Sequence, residues 1–460
     1  MTDRTTTTWG GPRVALGAIL LGAAALRLVG IGYGLPYGSI LDPDEQNVVP
    51  RAWRMVHGGG ADPHFFDWPT LVTYIEAPFQ WWQGSPSYLT GRLVVVGLGV
   101  LGVAAAWWLG SAAYGQIAGA VAAATTAVES THVAYSHAAV TDVPLTTFAT
   151  AALALLVLGR PELAGVAIGF ATAAKYPGAL LLVPLAVVTW KRWRALAVSA
   201  ALACVAFVVA SPYVVLRAGD AWSALRRVQE QHRRGWLGFE HDHWSGVAFV
   251  DRLWEGMGPV VVIAIAGLAV ALVRRSHRAD LVLGSFFLAY YVSLLPLHSH
   301  FDRYVLPLVP VCGALAGRLR PLAPVTLLLL VVPLTWSARN DARLTRTDTR
   351  IVAARWIEAH VPKGARIAAE SSTAVPPGYR VLPLRLPLPG ERGHRDLALV
   401  RRTAGWVVVS GAVADRVRRA DDRYPEEAGF YADLESSALR VLRIEPGHGL
   451  SGPWVSVYRL

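Results

Sequence analysis

The run Asp42-Pro43-Asp44-Glu45 places three carboxylates just after the first long apolar segment, in a chain that is otherwise largely apolar. Carboxylates beside hydrocarbon are costly to hold, so a chain that keeps them there is usually using them. A carboxylate so placed can act as general base toward a hydroxyl, provided the fold brings that hydroxyl within hydrogen-bond reach. A local reading competes with this one. Asp42 fits a helix N-cap, Pro43 the first helical position, and Glu45 the third helical residue of a capping-box-like start. That accounts for Asp42 and Glu45 but leaves Asp44 with only a helix-dipole benefit. Asp44 is therefore the candidate base.

Further along, residues 65–71 read Phe-Phe-Asp-Trp-Pro-Thr-Leu. Here an aromatic interface belt, with Asp67 capping a helix that starts at Pro69, is the simpler expectation. Asp142, in Thr141-Asp142-Val143-Pro144, is either a helix cap or a second acid at the membrane surface. Lys175, in Ala-Ala-Lys-Tyr-Pro, either snorkels to the interface or offers its ammonium to a phosphate. Arg303, followed by Tyr304, is placed to clamp two phosphate oxygens. His298 and His300 lack a third ligand nearby and make a weak metal signal, so no metal is expected.

The elements that must position these residues are mostly membrane helices. Of the 460 residues, 53% are hydrophobic and 16% charged, with 17 Trp, which marks a membrane protein. The net charge of +11 comes mainly from short Arg clusters between apolar runs, and no separate basic domain points to nucleic acid. Cys204 and Cys312 both lie in apolar runs and imply no disulfide framework. Arg4 and Arg13 precede an apolar run with no small-residue cleavage site, so a retained first span is expected.

Eleven apolar runs follow: 14–31, 91–110, 116–128, 138–158, 163–174, 176–190, 195–210, 259–273, 281–297, 304–317 and 322–336. With the N-terminus inside, the clusters at Arg160, Lys191 to Arg194, Arg274 with Arg275 and Arg278, and Arg318 with Arg320 all fall on the cytoplasmic side. The stretch 111–115 carries no basic residue. A break at Lys175-Tyr176-Pro177 keeps that count consistent.

Two long outer loops, 32–90 and 217–258, remain. The first should hold an amphipathic helix over 44–57, with Val48, Val49, Ala52, Trp53 and Val56 on one face. The second is rich in Arg, His and Trp. It reads as a basic helix on anionic lipid, or as a gate over the site that gathers an anionic headgroup. Residues 341–460 should form a soluble α/β unit, with a helix near 349–360 and strands near 366–370, 406–410, 439–444 and 455–460. The only low-complexity stretch is Thr5 to Thr8.

The acid pair in a long first outer loop, the Phe-Asp-x-Pro-x-Leu stretch, the Thr-Asp-x-Pro turn, the Lys-Tyr-Pro break and the late Arg-Tyr-x-x-Pro span together resemble the GT-C glycosyltransferases. The similar branch holds the protein O-mannosyltransferases and the lipid A aminoarabinose transferase, and the resemblance covers about residues 13–340. It implies an all-α membrane domain of about eleven helices over 1–340, with a small extracytoplasmic α/β domain over 341–460. The implied reaction moves a sugar from a polyprenyl-phosphate donor to a hydroxyl of a glycan, lipid or protein on the outer face of the plasma membrane, without a cofactor.

By this resemblance Asp44 is the base, Glu45 orients the acceptor or the loop, and Asp142 is the second acid. Lys175 and Arg303 face the donor phosphate, and Asp67 and Tyr304 line an acceptor or donor loop. Trp68 and Thr70 depart from the Lys and second Pro usual in aminoarabinose-transferase-type members, which leaves the donor sugar open. An envelope polysaccharide polymerase or ligase is the alternative enzyme. A secondary transporter should show related halves and polar residues at mid-span, whereas these acids lie at span ends and no repeat is present.

Overall fold

Backbone amides in an apolar environment must bond within their own segment, and runs rich in Ala, Leu and Val therefore fold as helices. The computed structural model describes residues 10–38, 40–274, 277–389 and 396–460, and all eleven apolar runs are helical in whole or in part. Arg4, Thr5 to Thr8 and Arg275 lie outside the described residues. Among the described residues, Tyr88–Tyr114, Trp193–Ala210 and Arg320–Leu344 are each long and apolar enough to cross a membrane. The pair Val260–Arg274 and Arg278–Leu294 makes a fourth if taken as one bent span. Gln116–Val128, Asp142–Val157, Pro161–Ala174 and Tyr176–Thr189 are apolar but shorter.

Small residues let these helices approach closely. A Cβ at Gly165 would meet the Ser199 carbonyl oxygen at 2.2 Å, and one at Gly267 would meet that of Leu315 at 2.1 Å. Gly115, with φ +94°, supplies the left-handed turn between Tyr88–Tyr114 and Gln116–Val128. The stretch 111–115 lacks a basic residue in sequence but not in space. Arg320 Nη2 donates to the Tyr114 carbonyl at 2.7 Å.

Two buried arginines tie the bundle together. Arg27 donates to the carbonyls of Ala23, Ala127 and Thr126 and to Ser136 Oγ at 2.9–3.1 Å. Arg92 holds Glu45 by two bonds, Nε to Oε1 at 2.8 Å and Nη2 to Oε2 at 2.7 Å, and also donates to the carbonyls of Ile31 and Tyr33.

The C-terminal part is an α/β unit. Strands β1 (Arg366–Glu370), β2 (Arg380–Leu384), β3 (Trp406–Ser410), β4 (Leu439–Ile444) and β5 (Val455–Arg459) form one mixed sheet in the order β2-β1-β3-β5-β4. β1 pairs in parallel with β2 and β3, while β5 runs antiparallel to β3 and β4. Helix Thr349–His360 forms as the sequence predicts. Edge strand β2 was not legible, because Pro383 and a broken alternation hide it.

The two parts interlock. Leu237, from the second outer loop, is buried in the same core as Val407 and Tyr431. The Tyr33 hydroxyl donates to Asp348 Oδ2 at 2.5 Å, and Ile40 packs with Ile351 and Ala374.

Candidate active site

The helix after the acidic run starts later than its capping pattern suggests. It spans Glu45–Arg54, with Asp44 at the cap position and no side-chain cap bond. Asp42 is therefore not the N-cap. Its Oδ1 instead accepts from the Asp44 backbone N–H at 2.8 Å, which closes a tight turn. Glu45 is the first helical residue, not the third, and its carboxylate does not fold back onto the helix start. It is fully buried against Arg92, and Oε1 also accepts from the Ala139 N–H at 2.9 Å. An acid enclosed in this way has no face left for an acceptor molecule.

Of the predicted apolar face, Val48, Val49 and Ala52 are fully buried, while Trp53 is half-buried and donates to the Gln83 carbonyl. The face packs on the protein, against Leu71–Gln80 and Tyr88–Tyr114.

Asp44 points away from this core. Its Oδ2 lies 2.7 Å from Arg303 Nη1, and Asp42 Oδ2 lies 3.7 Å from the same atom. Arg303 sits in the 3-10 turn Asp302–Leu308 and packs on Phe301, with its guanidinium carbon 4.9 Å from the ring centroid. Its Nε is buried and meets no hydrogen-bond partner among the described residues. The guanidinium thus grips a carboxylate with one amine and keeps Nε unspent.

Asp142 opens helix Asp142–Val157, and its Oδ1 lies 2.6 Å from Lys175 Nζ. Lys175 stands at the break the sequence predicts. The helix Pro161–Ala174 ends there, Lys175 is extended (φ −158°, ψ 138°), and a 3-10 turn follows over Tyr176–Leu181. Lys175 Nζ also lies 5.6 Å from the Tyr304 ring centroid. The Tyr304 hydroxyl lies 3.0 Å from His232 Nε2, and His232 Nδ1 lies 2.7 Å from Ser299 Oγ.

Asp44, Asp142, Lys175, Arg303 and Tyr304 therefore gather in one place, each at a helix end. Asp67 does not join them. The helix after it starts at Leu71 with Thr70 at the cap, so Asp67 caps nothing. It pairs with Arg227 at the exposed rim, 2.5 Å apart. His298 and His300 take separate partners: His298 Nδ1 meets the Arg233 carbonyl, and His300 Nδ1 meets Asp242 Oδ2 at 3.0 Å.

Electrostatics sharpen the picture. Burial pushes the Asp42 carboxyl up to about 7, against the pull of Arg303 and with the added push of Asp44. Burial, together with the charges of Lys175 and Arg303, brings His232 down to about 4, so its ring is neutral at pH 7. Asp42, His232 and Arg92 were not singled out as site residues from sequence. The signal for Arg92 was an arginine at the edge of an apolar run, where burial demands partners.

The second outer loop lies over this cluster. Its helix Ala218–Arg234 carries His232 into the site, and Ala221 and Ala224 pack on Phe66. Arg217 and Arg227 bind Asp62 and Asp67 of the first loop.

A helical bundle with acids and cations at one end and an α/β unit above them defines a membrane protein of the GT-C class. Residues 66–299, just over half of the chain, match the sequence profile of glycosyltransferase family 87, and the chain belongs to that family. No protein in a search of curated sequences matches it. Among solved structures, ArnT from Cupriavidus metallidurans, crystallised with undecaprenyl phosphate, is similar at a TM-score of 0.59 and 15% identity, covering 97% of each chain. The apo oligosaccharyltransferase of Archaeoglobus fulgidus is similar at a TM-score of 0.57 and 12% identity, covering 90% of this chain and 71% of the other. The same oligosaccharyltransferase with zinc and sulfate gives 0.58 and 13%, covering 95% and 72%. At these identities the likeness is one of fold.

Proposed function

We propose that this glycosyltransferase moves a sugar from a polyprenyl-phosphate donor to an acceptor hydroxyl on the outer face of the plasma membrane. Asp44 acts as the base, while Arg303 and Lys175 meet the donor phosphate. The observation that carries the reading is the Asp44–Arg303 contact at 2.7 Å, with Arg303 Nε still unpaired. A proton acceptor and an anion binder stand side by side, as one displacement requires.

In that step the acceptor oxygen bonds to the anomeric carbon as the carbon–oxygen bond to the lipid phosphate breaks. The electron pair leaves on the phosphate, and the hydroxyl proton passes to Asp44. One base and one leaving group imply inversion at the anomeric carbon. Arg303 and Lys175 neutralise the charge that develops on the leaving phosphate. Arg303 has a second edge free to take an oxygen, and Lys175 supplies a point charge once phosphate competes with Asp142. ArnT crystallised with undecaprenyl phosphate shares this fold and supports the choice of carrier.

The eleven helical runs, the N-terminus inside and the α/β unit outside complete the reading. The basic clusters support it, since Arg160, Arg274, Arg278 and Arg318 each stand at a helix end and none of them pairs with Asp44 or Asp142. The testing experiment is transfer from a radiolabelled polyprenyl-phosphate sugar by the full chain in nanodiscs. Asp44→Asn should abolish transfer with expression intact, and near-normal transfer would rule out Asp44 as base.

A further inference from the structure

Between the second outer loop and the α/β unit lies a cavity of about 680 Å³, a size typical of ligand sites. Its walls combine aromatic faces with carboxylates. Trp236, Phe239 and Trp244 come from the loop, and Glu427 comes from the first turn of helix Pro425–Ser437. Glu427 is only 4% exposed, lines the cavity, and has no hydrogen-bond or ion-pair partner among the described residues. Glu240, in the same wall, accepts from the Gly238 N–H at 2.8 Å and stands beside the Tyr424 hydroxyl.

A little-exposed carboxylate without a partner, such as Glu427, is costly, and that cost is met when a ligand donates to it. The lining holds four carboxylates against two guanidiniums, which disfavours an anion. No cluster suited to a metal ion occurs among the described residues. Carboxylates beside aromatic faces suit a polyhydroxylated ligand, whose hydroxyls donate to carboxylates and whose C–H faces lie on aromatic rings.

The cavity is also next to the chemistry. The Trp236 ring is 5.8 Å from the Phe301 ring, and Phe301 in turn lies against Arg303. A single aromatic layer separates the two.

We propose that this cavity holds the saccharide portion of the acceptor, with Glu427 accepting hydrogen bonds from its hydroxyls and Trp244 covering a ring face. The proposal rests on the glycosyltransferase reading, but its test needs no turnover. The full chain carrying Asp44→Asn, in nanodiscs, is titrated with neutral di- to tetrasaccharides of glucose, galactose and mannose, read by saturation-transfer NMR. At least one should bind, and Glu427→Gln should weaken it about tenfold, the loss of one charge-assisted hydrogen bond. Trp244→Ala, at a residue 69% exposed and so tolerant of change, should weaken it similarly. The proposal is overturned if no member of the panel binds, or if both variants bind like the parent. Failure of Asp44 as base would show in the transfer assay and leave this binding untouched.

Discussion

At the residue scale, Arg303 holds two acids of different character through a single amine. With Asp42 pushed up to about 7, it is largely protonated below that pH and charged above it. Charged Asp42 competes with a donor phosphate for Arg303, so kcat/KM should fall with rising pH through a limb near 7. Asp42→Asn cannot ionise, so that limb should disappear with activity retained. A pH–rate profile of Asp42→Asn that is flat at zero would instead make Asp42 the base. Arg303→Lys preserves charge but loses the planar fork. Donor KM should therefore rise about tenfold or more, the worth of one charged hydrogen bond. An unchanged donor KM and kcat in that variant would leave Arg303 with no role beyond holding Asp44.

At the element scale, Glu45 registers two segments against each other. From the helix behind Asp44, its carboxylate holds helix Tyr88–Tyr114 through Arg92 and the turn that leads into Asp142 through the Ala139 N–H. Breaking a buried ion pair by neutralising one partner costs about 3 to 5 kcal/mol, because the other charge is left uncompensated. Glu45→Gln should therefore lower the unfolding midpoint in detergent by several degrees, while the folded fraction keeps its acceptor KM. Loss of turnover with an unchanged midpoint would return Glu45 to a direct role in the chemistry. The rim pair Asp67–Arg227 is exposed and worth at most about 1 kcal/mol, so it suits a contact that opens and closes.

At the scale of the whole molecule, the proposed site lies where the bundle meets the α/β unit, and the second outer loop joins the two through Leu237 and His232. If that face is extracytoplasmic, Asp421→Cys should react with an impermeant maleimide in intact spheroplasts, and Arg192→Cys should react only after lysis. Both replacements belong in a chain freed of Cys204 and Cys312, the two native thiols. The reverse pattern of labelling would invert the topology and place the site inside.

What the sequence determined by itself was local. Apolar runs at 91–110, 116–128 and 195–210 became helices, four strands fell where alternation placed them, and Lys175-Tyr176-Pro177 broke the chain. Each of these follows from periodicity or from proline, which act over a few residues. The sequence also named most of the cluster, because charges beside hydrocarbon are conspicuous by their cost. It could not say which charge meets which. Asp44 and Arg303 are 259 residues apart and Glu45 and Arg92 are 47 apart, and only packing decides such pairs. For the same reason Glu45 looked like a cap and proved to be a buried brace, Asp67 looked like a cap and proved to be a rim contact, and Arg27 and Arg92 passed unnoticed. The partners that make a buried charge tolerable are supplied by other helices, and they become visible only once those helices are packed.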